Sequence, residues 1–321
     1  MRRAFLALVL LVTGSVLADA PAQTYPSKPI RLIVPAPPGG ASDILARIIG
    51  QKLTERWGQP VIIESKPGAS GVAGGELTAK SAPDGYTILM ISGLHTSTPS
   101  LMAKLPYDPL KDFEPVTKVA ASPLILVVNP ETPVKSVQEL VVYARDKGGK
   151  ATFGSAGAGS PSHLSGEVFS RLSKLEPTHV PYKGAGQSTS DLLGNHVMFI
   201  FNNPLSTIPL VESGKLRALA VTSRRRLSVL PDLPTMVEAG FPDFEVVAWW
   251  GILAPAKTPS EIVGKLNHAI KEALLSKEVE TQFAKNGVYA NPGTPTEFTA
   301  FLNDDMALWA KISKEGGVRL E

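Results

Sequence analysis

Twice along the chain a short apolar run gives way to a glycine-rich loop and then to a helix with one apolar face. Residues 30–34 read as a strand, followed by Pro35-Ala36-Pro37-Pro38-Gly39-Gly40 and a helix carrying Ile44, Leu45, Ile48, Ile49 and Leu53 on one side. Residues 151–153 read as a second strand. Behind it come Gly154-Ser155-Ala156-Gly157-Ala158-Gly159-Ser160 and a helix with Pro161 at its first position and Leu164, Val168, Phe169 and Leu172 on its buried side. Strand, loop and helix in that order build a mostly parallel sheet covered by helices. Further strands at 61–64, 86–91, 124–128, 178–180, 197–201, 218–222 and 246–253 continue the pattern, with a helix at 137–144. The fold class is α/β.

Two apolar runs break the rhythm, one at 124–128 after Ser122-Pro123 and one at 246–253. Each reads as a crossing between domains, so the first domain is discontinuous: residues 23–123 with 248–321 form it, 124–247 form the second, and a ligand cleft lies between them. A chain of 321 residues suits two domains. With 28 glycines and 28 prolines it is loop-rich, yet 43 % hydrophobic residues supply a core and exclude a disordered chain. No sequence repeat of fixed period is visible, which disfavours solenoids and propellers.

Arg2 and Arg3 precede an apolar run over 4–12 that continues to Leu17, and the A-x-A patterns Ala18-Asp19-Ala20 and Ala20-Pro21-Ala22 follow. This is the layout of a secretory signal peptide, residues 1–22, with cleavage expected after Ala22 and a periplasmic, exported product. The run is too short to span a bilayer. The chain has no cysteine, which excludes disulfides and thiolate chemistry. Its 32 basic and 29 acidic residues are too balanced for a nucleic-acid binder, and Arg224-Arg225-Arg226 reads as a solvated face.

The chemistry is expected at loops beyond the carboxyl ends of strands, where open α/β sheets bind ligands. Pro38, Gly39 and Gly40 lead into a helix whose N-cap reads as Ser42; its free amides at the positive end of the helix suit an anion. Ser155, Gly157, Gly159 and Ser160 form the matching loop of the second domain. The same glycines equally serve tight turns, and Ser160 equally serves as a simple cap. Tyr182, Lys183, Gly184 and Ala185 offer a cation and a hydroxyl, or a solvated lysine and a core tyrosine. Asn202 and Asn203 offer amides, or a turn. His163, near a positive helix end, is expected to be neutral and free to hydrogen-bond a ligand, or else to be structural; His95 and Thr96, in a polar loop after residue 91, face the same choice. Asp43 is expected to point back at loop amides. Trp249 and Trp250 alternate on a strand, so one is expected toward the core and Trp250 toward the cleft. The five histidines lack metal-ligand spacing, so neither metal nor cofactor is called for. Neither glycine loop carries a nucleotide-binding pattern.

Taken in order, Tyr25-Pro26-Ser27-Lys28-Pro29-Ile30, Pro38-Gly39-Gly40 with Asp43, Lys66-Pro67-Gly68-Ala69, Pro83-Asp84-Gly85-Tyr86-Thr87, Leu105-Pro106-Tyr107-Asp108-Pro109, Gly154-Ser155-Ala156-Gly157 with His163-Leu164, Pro181-Tyr182-Lys183-Gly184, and Pro234-Thr235 with Glu238-Ala239-Gly240 resemble the Bug-type substrate-binding proteins of tripartite tricarboxylate transporters. The resemblance spans nearly the whole mature chain. It implies a two-lobed periplasmic binding protein of the type II, Venus-flytrap kind, not an enzyme. Such a receptor would hold ligand carboxylates at loops matching 38–40, 155–160 and 182–185 and deliver them to integral membrane transporter subunits. The chain departs from the family at Ala36, often aromatic there, at Ser65, often Asn, and at Asn202-Asn203, often Asp-Asn, which implies a roomier and less negative pocket. The expected partners are therefore a small carboxylate ligand and the membrane subunits, with no nucleic acid, and the expected state is a monomer. A sensor adaptor serving a membrane kinase is the alternative. An exported hydrolase using Ser155, Ser160 or Ser162 with His163 is disfavoured, because the G-x-S-x-G elbow is missing.

Overall fold

Helix and strand follow one another along the chain as β1 Ile30–Val34, α1 Ala41–Trp57, β2 Val61–Ser65, α2 Val72–Ala79, β3 Thr87–Ser92, α3 Leu94–Leu101 and β4 Phe113–Pro123. Then come β5 Ile125–Val128, α4 Val137–Asp146, β6 Thr152–Ser155, α5 Pro161–Ser173, β7 Thr178–Pro181, α6 Ala185–Leu193, β8 Phe199–Asn202, α7 Pro204–Glu212 and β9 Arg217–Val221. The chain closes with β10 Val247–Pro255, α8 Ser260–Leu274, α9 Lys277–Lys285, β11 Tyr289–Ala290 and α10 Pro295–Gly316. This computed structural model describes residues 25–316 apart from 103, 245 and 286, and the expected leader lies outside the described residues.

Two sheets result. One has six strands in the order β11-β4-β10-β3-β1-β2, the other five in the order β7-β6-β8-β5-β9. Read from β2 and from β7, both share one plan: second strand, first, third, a strand arriving from the other lobe, and a fourth. The sheets are mixed rather than mostly parallel. β1 pairs parallel with β2 and β3, and β6 with β7 and β8, but β10 and β5 run antiparallel to both of their neighbours. The reason is the crossing. Parallel strands end at the lobe boundary, whereas a strand that has just crossed starts there and must run away from it. The first sheet thus takes strands from both ends of the chain.

The crossings are pinned together at one side chain. Thr222, fully buried, accepts from the Leu124 N–H through its Oγ1 at 2.8 Å and donates to Val246 O at 2.6 Å, while its own N–H donates to Leu124 O at 2.9 Å. β4 passes almost directly into β5 at this point, since Leu124 alone separates them.

Local rules account for most of the helices. α1 buries Leu45, Ala46, Ile49 and Leu53 on one stripe and stops at Gly58, whose φ of 64° closes the helix in the left-handed region. Ser160 caps α5 with Pro161 at its first position. The segment after Gly93, expected as a loop, is instead α3. The hydroxyls of Thr96, Ser97 and Thr98 bond carbonyls three or four residues back, within the helix they belong to. No helix among the described residues is long and apolar enough to cross a membrane.

Candidate functional site

The first rim is the loop 35–40 and the start of α1. Gly40, not Ser42, is the N-cap, and it provides no side-chain cap. The Ala41 and Ser42 amides therefore stand in the first turn with no helical acceptor. Ser42 accepts from Trp250 Nε1 at 3.0 Å, so the loop is braced on β10 from behind. Asp43 turns back as expected: its Oδ2 accepts from Gly39 N–H at 3.1 Å and from Arg47 Nε at 2.9 Å. Burial works to raise this carboxyl, but Arg47 and the Gly39 amide outweigh it and hold the group below the ordinary carboxylate range. Pro38 and Gly39 complete the turn, and Gly39 needs its φ of 82°. The start of α2 packs on the same loop: a β-carbon at Gly71 would lie 3.5 Å from Pro35 Cβ.

The second rim is built from β6–α5, β7–α6 and β8–α7. In the loop 155–160 most donors are satisfied within the lobe. Ala156 N–H donates to Ser162 Oγ at 2.9 Å, Gly157 N–H to Ser155 Oγ at 3.1 Å, and Gly159 N–H to His163 Nδ1 at 3.1 Å. Ser160 Oγ accepts from His163 N–H and donates to Gly157 O at 2.6 Å. His163 thus stands at the loop as expected, but its Nδ1 is engaged by Gly159 and its Nε2 faces Glu167 Oε1 at 3.4 Å, so neither nitrogen is free for a ligand. His179, which the sequence does not single out, sits 2.7 Å from Ser155 Oγ through Nε2.

α6 begins differently. Gly184 is its N-cap without a side-chain cap, leaving the Ala185 and Gly186 amides without helical acceptors. Lys183 is exposed, and its N–H donates to Gln187 Oε1 at 3.1 Å. Tyr182 faces away: its hydroxyl donates to Asp191 Oδ2 at 2.6 Å, and burial, then Asp191, push the phenol up to about 12. Asn202 is buried, with Nδ2 donating to Thr189 Oγ1 at 2.9 Å and Oδ1 accepting from Asn203 N–H at 2.9 Å. Asn203 caps α7 by accepting from Leu205 N–H at 3.0 Å, and its buried Nδ2 has no protein partner.

Gly184, Gly93 and Gly159 mark places where the two lobes meet. A β-carbon on Gly184 would lie 3.5 Å from Pro37 Cγ, and one on Gly93 would lie 3.5 Å from Pro161 Cγ. At Gly159 the approach is tightest: its β-carbon would lie 2.4 Å from Leu101 Cδ1 and 2.9 Å from Ser97 Oγ. Ser97 and Leu101 were invisible as site residues because α3 was not recognised as a helix. Its other face carries the two residues the sequence had singled out, and both point inward. His95 donates through Nε2 to Pro109 O at 2.9 Å, stacks on Tyr107, and is pushed down to about 4 by burial. Thr96 Oγ1 bonds Gly93 O and Asp305 Oδ2.

Trp249 and Trp250 do alternate across β10, but each is only 5 % exposed. Trp249 packs edge-on against Phe298 and Phe301, and Trp250 is the brace behind Ser42 rather than an open wall of the cleft. Among the described residues no cluster of three or more side chains suited to a metal ion is present.

Comparison with known proteins agrees with this geometry. Residues 45–318 match the model of the tripartite tricarboxylate transporter family receptor. The chain is 38 % identical to protein BugT of Bordetella pertussis over 318 residues, 98 % of this chain and 97 % of that one. It is similar to a solved R. palustris protein with adipate, at 35 % identity and a TM-score of 0.89 over 92 % of this chain and 99 % of the other. It is also similar to MatC of Rhodopseudomonas palustris with bound malate, at 32 % identity and a TM-score of 0.83 over 90 % and 99 %.

Proposed function

This chain belongs to the tripartite tricarboxylate transporter receptor family, whose members are periplasmic solute-binding proteins, and from that premise we propose that it captures a small carboxylate between its two rims and delivers it to the membrane subunits of such a transporter. The observation that carries the reading is the pair of uncapped helix starts, α1 in one lobe and α6 in the other, whose leading loops come together where Pro37 meets Gly184. Each presents amides and the positive end of a helix dipole, and together they suit a carboxylate shared between lobes. Asn203 Nδ2 adds a buried donor in need of an acceptor. The capped starts of α5 and α7 contribute shape and position more than free donors.

Adipate and malate, held by two relatives, are both dicarboxylates, and the same class is the expected ligand here. A charge-assisted hydrogen bond adds about 1.5–3 kcal/mol before the costs of ordering, and closure of the rims excludes the water that would weaken it. The leader is removed after Ala22 on export.

A thermal-shift panel of mono-, di- and tricarboxylates, aromatic acids included, tests this. A ligand at about 100 times its Kd adds about 2.7 kcal/mol to folding stability, a rise of several degrees. No shift with any acid of the panel would remove the carboxylate assignment. Mass spectrometry of molecules released from freshly purified protein would identify the natural guest, and its recovery chemically unchanged is expected.

A further inference from the structure

Two imidazoles lie face to face against the 155–160 loop. The rings of His163 on α5 and His179 on β7 are 3.9 Å apart between centroids and within 9° of parallel, and Phe153 stacks on His179 at 4.8 Å. Each ring governs one glycine of the loop. Gly159 N–H donates to His163 Nδ1 at 3.1 Å, so that ring carries its proton on Nε2, facing Glu167. Gly157 N–H donates to Ser155 Oγ at 3.1 Å, and the same Oγ lies 2.7 Å from His179 Nε2. Having accepted from Gly157, the Ser155 hydroxyl still has a proton to place, and His179 Nε2 is the acceptor in reach. His179 therefore carries its proton on Nδ1, and both rings are neutral in this arrangement.

We infer that His179 is a positioning residue for the ligand: stacked on His163 and accepting from Ser155, it holds the Gly157 and Gly159 amides inside the lobe and sets the shape of the rim that closes on Leu101 and Ser97. The inference rests on the receptor reading above and extends it to how the second rim is held. It depends on a neutral pair. A proton added at His163 Nδ1 would set two donors, that nitrogen and Gly159 N–H, against each other. A proton added to His179 would put a cation against the face of its stacked neighbour. The titratable groups bearing on His179 are His163 and Glu167, both on α5, while β6 offers only Phe153 and Ser155. Burial first, then His163, push the His179 ring down to about 4, with Glu167 acting in the opposite direction. His179 is thus neutral at pH 7, and in acid it gains a proton and can no longer accept from Ser155.

Two variants of the mature protein separate positioning from mere packing. His179→Phe keeps the stack but cannot accept from Ser155; His179→Gln keeps an acceptor and loses the titrating ring. With adipate as the probe in titration calorimetry at pH 7.5, His179→Phe is expected to weaken binding about tenfold and His179→Gln by less than about threefold. The ratio of wild-type to His179→Phe affinity, in which the acid's own titration cancels, is expected to fall toward one near pH 4. A second readout needs no ligand: in the free wild-type protein the Gly157 and Gly159 amide resonances are expected to move together with the His179 ring as pH falls. Wild-type affinity in a folded His179→Phe protein at pH 7.5, or glycine amides that stay fixed while the His179 ring titrates, would overturn the inference. If adipate and the wider acid panel fail to bind wild-type protein, the receptor reading falls, and the ligand-free amide titration still decides whether His179 governs the loop.

Discussion

Pro37 and Gly184 face one another across the cleft so closely that a β-carbon on the glycine would sit 3.5 Å from the proline Cγ. The contact joins the loop before α1 to the loop before α6, each of which leads into a helix start without a side-chain cap. Gly184 is extended there, with φ 164° and ψ 165°, so its smallness is not required by the backbone. A β-carbon there would meet Pro37 at ordinary van der Waals distance, so only a side chain larger than alanine's would press on the other lobe. Gly184→Phe is expected to fold with wild-type stability, to hold the rims apart, and to weaken carboxylate binding by more than about tenfold in calorimetry. Equal affinity would show that closure at Pro37 is irrelevant to capture.

Proline at the first position of a helix deletes one amide hydrogen while keeping a backbone compatible with the helix. Ala41 and Ala185 hold that position in α1 and α6, each after an extended glycine that a following proline tolerates. Ala41→Pro and Ala185→Pro are therefore expected to leave the ligand-free melting temperature within about 2 °C of wild type. Each is expected to weaken the best acid by about tenfold or more, the loss of one charge-assisted hydrogen bond. Unchanged affinity in both would mean that the ligand sits elsewhere.

Gly159 has a φ of 79° and approaches the opposite lobe, at Leu101 and Ser97, more closely than Gly93 or Gly184 does. Gly159→Ala meets two penalties, about 1–2 kcal/mol of left-handed strain and a collision with the opposite lobe. Only the second involves closure. Adding Leu101→Ala to Gly159→Ala is expected to recover part of the lost affinity while leaving the strain in place. A double variant no better than the single one would assign the whole effect to the loop itself.

His95 is buried against Tyr107 and Phe113, and its ring is pushed down to about 4. In the unfolded chain it titrates near its ordinary 6.5, so between these values the unfolded state binds a proton that the folded state refuses. Stability from this group is complete above pH 6.5 and is lost as pH falls toward 4. Urea unfolding at pH 7 and pH 4.5 is expected to show wild type losing about 2 kcal/mol through this residue, with His179 adding to the loss. His95→Phe is expected to flatten that part of the slope. An equally steep slope in the variant would mean that His95 is protonated in the fold.

What could be read from the chain was what depends on near neighbours. Ser160 and Pro161 start α5 because capping and a first-turn proline are matters of adjacent residues. Leu45, Ile49 and Leu53 declare the buried face of α1 by their spacing. Asp43 bonds Gly39 four residues away, and that too was visible. The crossing runs at 124–128 and 246–253 stood out because strands buried in a sheet are continuously apolar, yet their antiparallel setting did not. Direction depends on which lobe the chain has just left.

By itself, then, the amino-acid order determined the α/β class, the glycine loops at strand ends and the family, since each is written in short-range spacing or in motifs. Tertiary structure alone decided which donors remain free. Trp250 reaches Ser42 across 208 positions, Thr222 joins Leu124 across 98, and Ser155 meets His179 only because β6 and β7 lie side by side. A polar side chain forms whichever hydrogen bond packing brings within reach, and sequence spacing holds no record of strand order. For that reason His95 and Thr96 turned inward, Tyr182 bonded Asp191, and the Ala41 and Ala185 amides were left without helical acceptors.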